Sequence, residues 1–414
     1  MGKRIGFQSS AILGLGMFWI LWTGCLITAP IAIGADEVVF AVIDDISGPF
    51  AAQGDEAVKG AKLALEEVGN KVLGKGVKLI VRDSELKPAV AVRRFREVVE
   101  QEHPVYVYTG NSTAVQLAMM QVAEEKKTLF WANSAGDQIT QAGSVNRYTF
   151  RWNSSSFTMA NFAVAGFIRK FPEAKNFFAI TVDYVWGHSM FEMEKVVIEK
   201  MGGKVLGNVL TPMEETDYSG AVTKALSARP DVIVINSFGS PLSKCIRTIH
   251  EFGAKQKAKV LIPSADLAFM RGVGSESLQG VYVSTDWWHE AENDFSRKFV
   301  GKYRERYNIT PSHIALGGYV SLLLSLRAME RAASTEADKI ICALEGYKYD
   351  GPSGKEEIRA FDHQVTHPIV LGVGKRPGEK KYEDDYLEII SSGAIYRTYE
   401  QNPVVWKVKL PCDK

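Results

Sequence analysis

Short, continuously apolar runs alternate with amphipathic ones along most of this chain, and that alternation constrains the fold more than any single motif. In the first third the apolar runs are 38–43, 77–81, 105–108 and 129–132. Between them apolar residues recur three and four apart: Val58, Ala61, Leu65 and Val68, then Ala91, Val92, Phe95, Val98 and Val99, then Val115, Ala118, Met119 and Val122. That spacing lays a stripe along one side of a helix, while uninterrupted runs suit strands buried on both faces. Strand, helix, strand at this rhythm implies right-handed crossovers and a parallel sheet. The pattern restarts after Arg151, with strands expected at 176–182, 204–210, 231–236, 259–262 and 280–284 and helices at 188–201, 218–227 and 242–252. Long helical patterns follow at 293–307 and 311–333, with 335–345 behind them and short strands near 369–373 and 404–408. The expected architecture is α/β, two lobes of similar size with a helical return.

The chain opens differently. Lys3 and Arg4 precede an apolar run over 11–33, closed by small residues at Ala32-Ile33-Gly34. A basic start, apolar middle and small-residue exit read as a signal peptide, here 1–34. The run reaches the roughly 20 residues that span a bilayer, so uncut it would serve as an anchor. Thr23-Gly24-Cys25 offers lipid attachment as an alternative, with Trp22 where such sites take a small aliphatic residue. Removing the leader leaves about 380 residues, more than one core usually serves. Its two basic residues aside, 47 Lys and Arg face 48 Asp and Glu, a balance that gives no reason to expect nucleic acid or an anionic membrane as partner. Of the three cysteines beyond the leader, Cys245 lies in a helical pattern and reads as a small buried hydrophobe. An oxidising compartment permits one disulfide, and the expected pair is Cys342 with Cys412.

Small polar and aromatic residues gather where strands give way to loops. Ser47-Gly-Pro-Phe-Ala-Ala-Gln53-Gly54 joins the first strand to the first helix, at the carboxyl edge where open α/β sheets hold ligands. Thr109-Gly-Asn111-Ser112-Thr113 runs into a helix start, whose first amides lack internal partners and suit a carboxylate; the same residues also suit ordinary capping. Ala132-Asn133-Ser134-Ala135-Gly136 is again small and polar, whether as a turn or as a ligand loop. In Asp183-Tyr184-Val-Trp186-Gly187 and Ser237-Phe238-Gly-Ser-Pro241 the aromatics either pack or clamp a ligand face. Asp266 is the acidic candidate for an ammonium group, or else a helix cap.

Other features carry no chemistry. His363 and His367 are four apart, but Pro368 and the β-branched Val365-Thr366 argue against a zinc-binding helix. The glycines of 372–378 lack the strand, spacing and helix of a phosphate loop, and no Gly-x-Ser-x-Gly elbow occurs. No catalytic acid, base or nucleophile set, metal site or cofactor is expected. The chain reads as a binder.

The leader, the 47–54 loop after its strand, and the Asp183-Tyr-Val-Trp-Gly187 loop, together with Asp217-Tyr-Ser219 and Pro230-Asp-Val-Ile-Val234, resemble periplasmic solute-binding proteins of the branched-chain amino acid type. The resemblance covers about 36–410. It implies the type I binding fold, two Rossmann-like lobes joined by three crossing segments, with 35–152 plus 285–357 as one lobe and 153–284 plus 358–414 as the other. It implies a monomer in the periplasm that delivers a small carboxylated ligand (amino acid, amide or aromatic acid) to an ABC transporter's membrane permease. By the resemblance Ser112, Asn133 and Ser134 are first-lobe anchors in the loops 111–113 and 133–135, Trp186 and Phe238 close from the second lobe, and Asp266 takes the ammonium group. Asp266 stands two positions later than the family pattern, and Gln53 occupies a place often aromatic in amino-acid binders, which points to a more polar or differently shaped ligand. The same fold also serves as a sensing module that presents a solute to a membrane receptor or kinase. An extracytoplasmic enzyme has no support beyond the fold.

Overall fold

In the computed structural model, which describes residues 37–413, the alternating runs become two sheets. The expected leader and the Cys25 alternative lie outside the described residues. The first sheet is ordered Lys71–Val72, Lys75–Asp83, Val38–Asp44, Tyr106–Thr109, Phe130–Ala132, Thr149–Phe150. All its neighbours run parallel except the short Lys71–Val72 hairpin partner. The second is ordered Leu387–Gly393, Ile369–Gly374, Tyr282–Thr285, Lys259–Ile262, Val232–Asn236, Asn176–Val182, Lys204–Thr211. Five of these strands run parallel, and the two from the tail add an antiparallel edge.

The apolar runs are continuous because both faces of each sheet are covered. In the second sheet Ile233, Ile235, Val260 and Ile262 enter one core, while their neighbours Val232, Val234 and Leu261 enter another on the opposite face. Side chains that alternate across a strand need apolar residues at every position when neither face meets water. In the first lobe, helix Ala51–Glu67 lies against the long helix His313–Ala332 at very close range. A Cβ on Gly60 would fall 1.9 Å from the Ala315 carbonyl oxygen, and one on Gly318 would fall 2.3 Å from that of Ala57. Only glycine lets the two backbones meet so.

Crossing segments between the lobes lie side by side. Arg151 bridges Gln364 in parallel fashion, the His363 ring stacks on Phe150, and the His367 ring stacks on Trp152. His363 also contacts Glu345 at 2.8 Å, and His367 Nε2 lies 2.9 Å from the Trp152 carbonyl. The two histidines therefore build the junction. The expected strand at 404–408 does not form; Leu387–Gly393 supplies the extra strand instead, because it lies along the free edge of Ile369–Gly374. Trp406 faces the His363 ring, Leu410 enters the first lobe's core, and Cys412 is disulfide-bonded to Cys342, so the last residues pack with the first lobe. Cys245 is free and buried. Among the described residues no helix is long and apolar enough to cross a membrane.

Candidate functional site

Each parallel sheet has a point where its chain order reverses, and open α/β sheets place ligands in the crevice beyond such points. In the first sheet Val38–Asp44 has Lys75–Asp83 on one side and Tyr106–Thr109 on the other; in the second, Asn176–Val182 stands between Lys204–Thr211 and Val232–Asn236. The two crevices face each other across one cavity of about 30 Å³. Gly110, Asn111, Asn133, Ser134 and Ala135 line it from the first lobe, and Tyr184, Trp186, Phe238 and Ser264 from the second. Asn153, Met159, Asp286, His313 and Ile314 complete the wall. That volume holds about two waters, so a solute of amino-acid size enters only if the walls part.

The first-lobe loops are pinned from below by a buried acid. Asp44 accepts hydrogen bonds from the Gly110 amide (3.1 Å), Asn111 Nδ2 (3.1 Å), Thr109 Oγ1 (3.3 Å) and the Asp45 amide (2.9 Å). A Cβ on residue 110 would come within 2.9 Å of that carboxylate, so glycine is required there. Burial raises the pKa values of Asp44 and Asp45, and the neighbouring Asp44 raises that of Asp45 further. With its Nδ2 committed to Asp44, Asn111 keeps a buried Oδ1 without a partner, at the cavity wall. Ser112 does not line the cavity: its hydroxyl caps helix Thr113–Lys126 by accepting from the Val115 amide. Thr113 lies behind the wall and holds the Ser134 hydroxyl at 2.9 Å. Asn133 lines the cavity, yet its amide group is committed to Ser321 Oγ (3.0 Å) and the Trp152 amide (2.8 Å). It braces the loop.

The second lobe supplies an aromatic wall. Trp186 is 3% exposed, 6.3 Å from the Tyr184 ring and 6.4 Å from that of Phe238, which in turn meets Phe50 of the first lobe edge-on at 5.8 Å. The Trp186 Nε1 donor is buried without an acceptor. Gln53 and Asp266 meet each other instead of the cavity. Gln53 Nε2 donates to Asp266 Oδ2 at 3.1 Å, and Asp266 Oδ1 accepts from the Phe269 amide at 2.9 Å as the cap of helix Leu267–Val273. Both oxygens are thus occupied, and the contact ties the lobes together at the rim. Nearby Glu56 is hydrogen-bonded by Ser312 and lies 3.5 Å from Arg271, which also donates to the Thr310 carbonyl at 2.7 Å.

Sequence reasoning passed over Asp286 and His313, which stand at the junction side of the cavity. Asp286 Oδ1 accepts from the Ser154 amide at 2.8 Å, while Oδ2 is buried and unpartnered. His313 opens the long helix after its cap Ser312, and burial keeps its imidazole pKa low. A signal was present: Asp286 closely follows the strand Tyr282–Thr285, the same kind of position that singled out the other strand-end loops. Among the described residues no group of three His, Cys, Asp or Glu is placed to hold a metal ion. The site is suited to binding by hydrogen bonds and ring faces.

Comparison with known proteins agrees with the two-lobed fold. A family model described as periplasmic binding protein matches residues 37–379. The chain is similar to Leu/Ile/Val-binding protein homolog 7 of Brucella abortus, with 26% identity over 317 residues, 72% of this chain and 78% of that protein. Among solved structures, an amino acid ABC transporter substrate-binding protein from Pseudomonas fluorescens Pf-5 is 30% identical with a TM-score of 0.85, covering 90% of this chain and 99% of that one. A periplasmic binding protein from Burkholderia mallei is 26% identical with a TM-score of 0.85, covering 91% and 100%.

Proposed function

This chain belongs to the periplasmic binding protein family, and from that premise we propose that it captures a small carboxylated organic solute between its lobes and delivers it to the membrane permease of an ABC importer. The family is an extracytoplasmic, non-enzymatic class that binds small molecules and works with ABC transporter permeases. The observation that carries the reading is the single cavity at both sheets' switch points, with the buried Asn111 Oδ1, Asp286 Oδ2 and Trp186 Nε1 on its wall lacking partners. Buried polar groups are ordinarily satisfied, so groups left open at a closable cleft call for a ligand. The similarity to an amino acid binder at 30% identity supports a solute of that size and polarity. On this reading Asn111, Ser134, Ala135, Tyr184, Trp186 and Phe238 face the solute, Ser112, Thr113 and Asn133 hold the first-lobe loops in shape, and Gln53 with Asp266 closes the rim.

Closure then expels water and exchanges it for fixed donors, acceptors and aromatic faces. We further read 1–34 as a cleaved leader and the mature protein as a monomer without nucleic-acid partners, which its near-neutral charge supports. The test is thermal unfolding against a panel of amino acids, amides and aromatic acids, since a ligand that binds only the folded state raises its stability. A concentration-dependent rise with one chemical group of the panel is expected. No shift with any member would overturn the capture reading.

A further inference from the structure

Resting on the reading that the lobes part and close, we propose that residues 394–413 form a strap, a further connection between the lobes sealed by the Cys342–Cys412 disulfide, which limits how far the cleft opens. The strap starts in the second lobe, where strand Leu387–Gly393 ends on that lobe's sheet. It then runs over the junction beside the crossing segment 359–368. The Tyr396 hydroxyl accepts from the His367 amide at 3.1 Å and donates to the His367 carbonyl at 2.9 Å. Arg359 donates to the Arg397 carbonyl at 2.6 Å, Asn402 Nδ2 to Asp362 Oδ2 at 3.1 Å, and Trp406 Nε1 to the Ala360 carbonyl at 3.1 Å. The strap finishes in the first lobe. Asn402 accepts from the Ala142 amide at 2.7 Å and donates to the Thr140 carbonyl at 2.9 Å. Leu410 enters the first lobe's core, and Cys412 is bonded to Cys342 on helix Ala337–Leu344, whose Ile340, Ile341 and Leu344 lie in the same core.

The disulfide makes this path covalent. It closes a ring of chain that leaves the first lobe through 359–368, forms the hairpin of Ile369–Gly374 and Leu387–Gly393 on the second sheet, and returns through the strap. That hairpin is tied to the first lobe at both its ends, so a hinge rotation has to be absorbed on both sides of it. A tail with a free end would peel away as the lobes part; a bonded tail has to stretch with them. Arg397 adds an ionic clip. Its guanidinium lies 2.7 Å from Asp137 Oδ2 of the first lobe, 3.3 Å from Met193 Sδ on helix Val185–Lys200 of the second, and over the Phe157 ring at 4.2 Å. Asp137 follows directly on the cavity loop 133–136, and Trp186 stands on the same helix as Met193. Arg397 thus joins elements that carry both cavity walls, and opening the cleft has to stretch or break one of its contacts.

The test compares the mature protein with its Cys342→Ser, Cys412→Ser double variant, both without added solute. Each carries spin labels on keto amino acids in place of the exposed Lys62 of the first lobe and Lys224 of the second. Dipolar spectroscopy then reads the distance between the lobes, which release of the tail alone does not alter. The double variant is expected to populate longer distances than any the parent reaches. Arg397→Ala with the disulfide intact is expected to shift the population toward the parent's longest distance without extending it. A second arm does not depend on the variant's folding: the folded parent is reduced with a dithiol and alkylated, since Cys412 is exposed and the free Cys245 is buried. It is expected to match the double variant. Identical distance distributions in the oxidised protein, the reduced protein and the double variant, even with a lower melting point, would overturn the strap and leave the disulfide a simple staple. An unaltered population in Arg397→Ala would overturn the clip. Because no solute is used, either result leaves the capture reading to its own thermal test.

Discussion

Asp266 and Asp286 follow neighbouring strands of the second sheet, and both are buried, yet their surroundings give them opposite uses. At the rim, Asp266 caps a helix with one oxygen and receives Gln53 of the other lobe with its second. At the junction, Asp286 holds the Ser154 amide with one oxygen and leaves the second open to the cavity. A carboxylate whose two oxygens each hold a neighbour is part of the framework. One with an unfilled position on a cavity wall waits for a partner. The difference lies in how each strand end meets the opposite lobe, not in residue type.

The largest expected effect separates the two acids directly. Asp286→Asn should lower solute affinity by at least about 30-fold, whereas Asp266→Asn should change it by less than about 5-fold, because only the first loses a charge that faces the ligand. Calorimetric titration of both variants checks this; equal losses would break the contrast. Trp186→Ala comes next. Removing the buried ring that spans Tyr184 and Phe238 should cost about 2 kcal/mol of binding, as aromatic anchors at enclosed contacts do. Ser112→Ala should instead cost about 1 kcal/mol of stability through the lost helix cap, seen as a lower melting point with nearly unchanged affinity.

The rim should also respond to pH. Burial and the nearby Asp266 raise the Glu56 carboxyl from its usual 4.5 to about 7. Between those values the folded protein holds a proton that the unfolded chain releases. The stabilisation is therefore complete below pH 4.5 and is lost as pH rises through about 7. Glu56→Gln, which keeps an acceptor for Ser312, should flatten this slope and leave the variant more stable than the parent at pH 8, by on the order of 2 kcal/mol in denaturant unfolding. Asp266→Ala, which loses both the helix cap and the Gln53 partner, should cost at least about 1 kcal/mol measured the same way.

Much of the fold was legible because burial on both faces writes a plain signal: the run 38–43 became Val38–Asp44, and 259–262 became Lys259–Ile262. The aromatic segments were legible for a related reason, since Trp186 and Phe238, which stand at the starts of helices Val185–Lys200 and Gly239–Glu251, must find cover. Partnerships across the chain were not. Gln53 and Asp266 are 213 positions apart, and nothing local to either indicates that they meet at 3.1 Å. Asp266 is an acid just beyond a strand end, and so is Asp286. Only the neighbours that consume one oxygen pair and spare the other distinguish them. The tail misled for a similar reason: Val404-Val405-Trp406-Lys407-Val408 has strand-like residues, but a strand needs a free edge, and that edge is taken by Leu387–Gly393.

Capture between two closing lobes is the claim on which the rest depends, and small-angle X-ray scattering reads it directly. With the compound that gives the largest rise in melting temperature at saturation, the radius of gyration should fall relative to the ligand-free protein. A radius unchanged by a compound that stabilises the protein would contradict closure as the mode of binding.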